Sequence, residues 1–248
     1  PGACPTRYAA WKKQLEEALD VNVVEWKYTM ADPTRLYNNP QARAEDLMEG
    51  FKNNDIKAIF STIGGDESIR ILPYIDYNII MQNPKIFMGY SDTTITHFIC
   101  QKAGIVSFYG PSIMAWFGEN GGVFGYMVNS VHRSLCSTDI IGEITPNTQW
   151  RTNEFLQREN ADLQQQKRKL RDAQGRNRLQ WKGIHTWILS GGCIDVFPFM
   201  QGTSIRPEKD RWKEKILCIE TSEEKMSEQN FERIIRNLWS QWILNLLW

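Results

Sequence analysis

Lys85-Ile86-Phe87-Met88-Gly89-Tyr90-Ser91-Asp92-Thr93-Thr94 joins an apolar run of strand type to an amphipathic helix. The helix carries Ile95, Phe98, Ile99 and Ala103 on one face and stops at Gly104. Ser91 falls at the turn between them. A strand that reverses sharply into a helix holds one side chain proud of the sheet, and the amides that open the helix face the same space. That geometry suits a nucleophile. The G-x-S-x-G elbow of hydrolases would place Gly at position 93, where this chain has Thr, so the same residues also read as a Ser-Asp cap on an ordinary helix.

Outward from this stretch the pattern repeats. Ile56 to Ile63 is another apolar strand, and it runs into Gly64-Gly65 and a helix start. A Gly pair lets backbone approach a substrate closely and offer amides to an anion. Upstream, residues 6–19 read as a helix with Tyr8, Trp11, Leu15 and Leu19 on one face, Val21 to Trp26 as a strand, and Asn39-Pro40 as the start of a second helix. Downstream, Ile105 to Tyr109 reads as a short strand closed by Gly110-Pro111. Alternating strands and helices predict a mostly parallel sheet covered by helices, with sites at the carboxyl ends of strands. Gly65 and Ser91 both fall on that rim.

From Trp150 to Trp181 the chain turns polar, with no strand pattern. Leu156, Leu163 and Leu170 are seven apart, too few positions for a coiled coil. The segment reads as a solvated helix or linker, or as the border of a site between two domains where Trp150, Trp181 or Trp187 stacks on a base. Beyond it, Ile216 to Ile219 is an apolar strand with Glu220 at its carboxyl end, and Phe231, Ile234, Ile235, Leu238 and Trp242 mark an amphipathic helix.

The 248 residues suffice for one large or two modest domains. Lys+Arg and Asp+Glu both number 29, so no bulk field recruits nucleic acid or an anionic membrane. No stretch approaches the ~18 apolar residues of a membrane span. The five cysteines are scattered without a Cys-x-x-Cys pair, which implies neither a disulfide framework nor a zinc site and points to a reducing cytoplasm.

Three stretches in order, "STIGGDESIRILPYID" at 61–76, "NPKIFMGYSDTT" at 83–94 and "KILCIETSEE" at 215–224, resemble the LD-carboxypeptidase family of serine peptidases, and within it the branch of microcin C self-immunity peptidases. The resemblance implies an α/β fold: an N-terminal, mostly parallel sheet domain with the nucleophile elbow (1–149), a polar linker (150–182), and a second, truncated α/β or β-rich domain (183–248). It implies metal-free, cofactor-free hydrolysis of an amide through an acyl-enzyme. Ser91 is then the nucleophile, Glu220 the carboxylate that orients a histidine, and the backbone amides at Gly65 and Asp92 the oxyanion donors. Arg70 stands where a cation would meet a substrate carboxylate, although pairing to Asp66 or Glu67 explains it equally well. The preferred substrate is a peptidyl or aminoacyl nucleotide of the microcin type. The alternatives are a murein tetrapeptide with its L,D-bond, and a catalytically inactive fragment or binding protein. Homodimerisation is left open.

The last alternative rests on histidine. The family's catalytic His lies well beyond its Glu, and this chain has none after His185. His97 is on the helix that follows Ser91 and faces away from its hydroxyl, while His132 and His185 match no catalytic position of the family. "PGACPTRY" resembles the turn after the family's first strand, and Trp242 stands where the family tends to carry Gly. The chain is therefore expected to be an incomplete enzyme with little activity by itself.

Overall fold

The computed structural model describes residues 5–151, 160–175, 177, 179, 184, 186–241 and 243–246. Its helices are α1 (Pro5–Leu19), α2 (Pro33–Asn38), α3 (Pro40–Lys52), α4 (Tyr77–Gln82), α5 (Thr94–Lys102), α6 (Gly125–Leu135), α7 (Glu228–Ser240) and α8 (Ile243–Leu246). Its strands are β1 (Ala58–Phe60), β2 (Ile86–Gly89), β3 (Phe108–Tyr109), β4 (Gln149–Arg151), β5 (Leu170–Asp172), β6 (Ile188–Cys193) and β7 (Lys215–Glu220). They form two compact units. Trp26–Ser112 and His185–Trp248 make the first, and Gly2–Glu25 and Ile113–Ile184 the second.

In the first unit β1, β2 and β3 form a parallel sheet in that order, with Phe60 opposite Met88 and Gly89 opposite Tyr109. The ladder continues past the strands through Ser61 N–H to the Met88 carbonyl (2.9 Å) and Gly110 N–H to the Gly89 carbonyl (2.9 Å). This register sets the carboxyl ends of all three strands level. β6 and β7 form a second parallel pair that places Cys193 opposite Glu220. Gly191 is required there, since a Cβ would lie 1.8 Å from the Cys218 carbonyl oxygen. α3 begins where Asn39 caps it, its side chain accepting from Ala42 N–H, with Pro40 at the first helical position. The helices bury Phe51, Ile80, Ile95, Ile99 and Leu238 in one core with Phe87, Phe197 and Trp212. Phe98 meets Phe197 edge-on at 5.9 Å.

The second unit packs Trp11 and Leu15 of α1 with Phe117 of a π-helical turn, Ile113–Phe117, all nearly inaccessible to solvent. Beside them Glu119 is fully buried, and its carboxylate receives Arg168 Nε at 2.6 Å, Arg168 Nη2, Arg151 Nη1 and the Asn120 amide at 3.0 Å. A buried charge is tolerated only when paired in this way.

Two sequence expectations are corrected here. Val21 to Trp26 forms no strand, because the Val21 and Val23 amides bond instead to the Glu16 carbonyl (3.2 Å) and the Glu16 carboxylate (3.0 Å). The 150–182 segment is not a helix among its described residues. β4 and β5 pair there as an antiparallel ribbon around a 3-10 turn at Ala161–Gln165. Among the described residues no helix is long and apolar enough to cross a membrane.

Candidate active site

β2 ends at Gly89, and two residues later Ser91 takes φ = +61°. That left-handed conformation costs a non-glycine residue ~1–2 kcal/mol, so the surroundings must hold it. Three contacts do so. The Ser91 amide donates to the Tyr109 hydroxyl (2.8 Å). The Ser91 carbonyl accepts from Thr94 Oγ1 (2.7 Å), which itself accepts from the Cys193 amide (2.9 Å) and so ties the elbow to β6. Gly64 packs against the side chain, where a Cβ would come within 3.0 Å of both Cβ and Oγ of Ser91 and 3.4 Å of the Asp92 nitrogen. Gly192 makes room for Thr94, since a Cβ there would meet its Oγ1 at 2.6 Å.

Asp92 is fully buried, and its side chain does not cap α5. Oδ2 accepts from the amides of Glu67 (3.1 Å) and Ser68 (2.9 Å) and thereby pins the loop after the Gly pair to the elbow. Burial raises the Asp92 carboxyl above its ordinary range, against the Ser68 hydrogen bonds and the Arg43 charge, which lower it. Gly65 lies in this pinned loop at φ = +135°, exposed to solvent. The loop and the elbow are thus held together, and the Asp92 amide, Gly64 and Ser91 Oγ border one small space.

Arg70 is engaged elsewhere. Its guanidinium pairs with Glu67 at 2.6 Å and lies over the Tyr37 ring at 4.5 Å, which is the structural of the two expectations for it.

Glu220 ends β7, and its Oε1 accepts from the Tyr109 hydroxyl at 2.6 Å. One phenol therefore accepts from the Ser91 amide and donates to the Glu220 carboxylate, linking residues 129 apart in sequence. Burial first, then the hydrogen bond and charge of Glu220, push the Tyr109 phenol above its ordinary value, so it stays protonated and donates. The sequence pattern marks Gly64 as one of the Gly pair but does not single out Tyr109. The available signal was a tyrosine at the carboxyl end of a strand, just before Gly110-Pro111.

The described histidines are committed. His97 Nε2 donates to the Gly89 carbonyl (2.9 Å), which leaves Nδ1 to accept from the Ser107 hydroxyl (2.8 Å). Burial pushes its pKa down to about 4, so the ring is neutral and structural. His132, in the second unit, donates from Nε2 to the Ala18 carbonyl (2.9 Å). His185 and Trp181 lie outside the described residues. Trp150 is half-exposed under the Arg171 guanidinium, 5.6 Å from its ring centre. Cys100, Cys136, Cys193 and Cys218 are free thiols. No cluster of metal-ligating side chains occurs among the described residues.

A parallel sheet whose central strand delivers a serine in a left-handed elbow, beside a glycine-lined loop and a carboxylate at another strand end, defines an α/β protein with a strand-turn-helix elbow at its sheet rim. The chain belongs to the LD-carboxypeptidase family: residues 1–110 match the signature of the LD-carboxypeptidase N-terminal domain and residues 188–246 that of the C-terminal domain. It is similar to the Microcin C7 self-immunity protein MccF of Escherichia coli, with 49% identity over 79 residues, 32% of this chain and 23% of that protein. The putative carboxypeptidase YocD of Bacillus subtilis is 32% identical over 181 residues, 73% of this chain and 52% of YocD. The chain thus spans about half the length of YocD and less of MccF. A crystal structure of an MccF-like protein from Streptococcus pneumoniae in complex with AMP superposes with a TM-score of 0.86 at 27% identity, covering 97% of this chain and 74% of that one. MccF in complex with aspartyl sulfamoyl adenosine gives 0.82 at 27% identity, covering 98% and 70%.

Proposed function

We propose that this chain carries the nucleophile and the acidic member of a serine carboxypeptidase that hydrolyses the amide of a peptidyl or aminoacyl nucleotide. The observation that carries the reading is the Ser91 elbow, held by Tyr109 to the Glu220 carboxylate. In this reading Ser91 Oγ attacks the carbonyl carbon and forms an acyl-enzyme. The amides of Asp92 and Gly65 hold the developing oxyanion, where one donor typically contributes ~100- to 1000-fold in rate. Because the Ser91 amide is taken by Tyr109, it is not a competing donor. Glu220 orients a general base. That base is a histidine which the described residues do not supply, because His97 and His132 are engaged in the fold. The nucleotide preference draws support from the AMP and aspartyl sulfamoyl adenosine complexes of the two structural neighbours.

The test measures hydrolysis of an aminoacyl-nucleotide amide and of a murein tetrapeptide by a form of the protein that includes the family's histidine, and by its Ser91→Ala variant. The expected result is turnover of the nucleotide substrate with the higher kcat/KM, reduced about 10³-fold or more in a folded Ser91→Ala protein. Parental turnover by the variant would refute the role of Ser91. Preference for the tetrapeptide would reverse the substrate order. No turnover of either substrate, with binding of a non-hydrolysable aminoacyl sulfamoyl adenosine retained, would make this a binding protein.

A further inference from the structure

The first unit carries unbalanced positive charge at the end away from Ser91. The elbow at Ser91 leads into α5, which closes at Lys102, and β7 ends at Glu220 after beginning at Lys215. At ~1.5 Å per residue the nine-residue helix alone carries the chain about 13 Å from the elbow to Lys102. There, Lys102, Lys215, the 204–208 stretch and Arg211 line a cavity of about 590 Å³. Its cations are Lys102, Arg206, Arg211 and Lys215, and its single carboxylate is Glu208. In a chain with 29 cationic and 29 acidic residues this is a local concentration, not a reflection of composition.

Of these cations Lys102 is exposed but tethered, and Arg206 is partly buried. The Lys102 amine donates to the Ser204 carbonyl (2.8 Å) and lies 4.6 Å from the Tyr77 ring centre. Arg206 is half-buried, and among the described residues it makes no ion pair. Burial lowers its pKa with no carboxylate acting against it. A partly desolvated cation without a counter-ion gains from an anion that enters. Buried Phe98 and Ile205 form apolar wall, which strengthens the field of the four cations inside the concavity.

We propose that this cavity is an anion site for a small phosphorylated molecule, with the Arg206 guanidinium as its fork and Lys102, Arg211 and Lys215 around it. Phosphate is favoured over carboxylate because an excess of three positive charges suits a polyanion and the guanidinium plane matches two phosphate oxygens. A concave space of this size encloses a small molecule, whereas a bilayer would need a flat basic face. The proposal does not depend on the reading of Ser91.

Isothermal titration with inorganic pyrophosphate tests it on the parent, Ser91→Ala, Arg206→Gln and Lys215→Gln, each checked for a parental melting temperature. Pyrophosphate is expected to bind parent and Ser91→Ala equally, about 10-fold or more weaker to Arg206→Gln, and more weakly to all at raised salt. Should Arg206→Gln fail to fold, weakened binding to Lys215→Gln carries the test. Absence of pyrophosphate binding in the parent, or affinity unchanged in the folded cavity variants, would overturn the proposal. So would association with phosphatidylserine vesicles alone, which would assign the charge to a lipid surface.

Discussion

Tyr109→Phe removes one oxygen and tests whether the phenol holds the candidate site together. The variant keeps the ring and its packing beside His97, 5.2 Å between centres, so the loss falls on two hydrogen bonds. One donates to the Glu220 carboxylate at 2.6 Å, and such charge-assisted bonds contribute ~1.5–3 kcal/mol. The other accepts from the Ser91 amide at 2.8 Å, a neutral bond of ~0.5–1.5 kcal/mol that offsets the left-handed backbone at that residue. Tyr109 is 39% exposed, so water re-solvates part of what is lost and the low end of each range applies. The expected destabilisation is about 2 kcal/mol. Urea denaturation of parent, Tyr109→Phe, Glu220→Gln and the double variant would measure it. The cycle should return a coupling of about 1 kcal/mol between Tyr109 and Glu220. If Tyr109→Phe shifts stability by less than about 0.5 kcal/mol and the cycle is additive, the phenol does not hold the two strand ends together. In a catalytically competent preparation the same variant should lower kcat more than it changes KM, because it displaces Ser91, the proposed nucleophile, rather than a binding contact.

Two further expectations concern buried charge. His97 titrates at about 4 in the folded state against ~6.5 when unfolded, so between those values the unfolded chain binds the extra proton. Stability contributed by the neutral ring is therefore complete above about pH 6.5 and is lost as pH falls through about 4, by about 3 kcal/mol in all. Urea midpoints measured from pH 7 to pH 4 should fall with this slope in the parent and flatten in His97→Gln, and an equal slope in both would refute the assignment. In the second unit, Glu119→Gln leaves the Arg168 and Arg151 guanidinium groups facing a neutral amide and should cost ~3–5 kcal/mol by chemical denaturation. A loss under about 1 kcal/mol would mean that water already reaches this carboxylate.

What was legible in the sequence is what depends on neighbours along the chain. The Ser91 elbow follows from an apolar strand meeting a helix start, Glu220 from its place at a strand end, and the Arg70–Glu67 pair from a spacing of three. The misreadings occur where a partner from afar decides the outcome. Val21 to Trp26 has β-branched residues, but a strand exists only if another backbone takes its amides, and Glu16 takes two of them. β4 and β5 carry Gln149, Arg151, Arg171 and Asp172 among their six residues, so the ribbon shows no alternation to distinguish it from a linker. Tyr109 belongs to the same class. Locally only its place at a strand end before Gly110-Pro111 marks it, yet parallel register sets it opposite Gly89, and that places its hydroxyl on the Ser91 amide two residues further on. Asp92 shows the converse. Sequence places it beside Ser91, but its buried carboxylate spans to the Glu67 and Ser68 amides, so changing it should displace the Gly64-Gly65 loop as well as the elbow. The glycine loop and the serine, read from two separate stretches, are therefore mechanically one element, and a substitution in either should be felt at both.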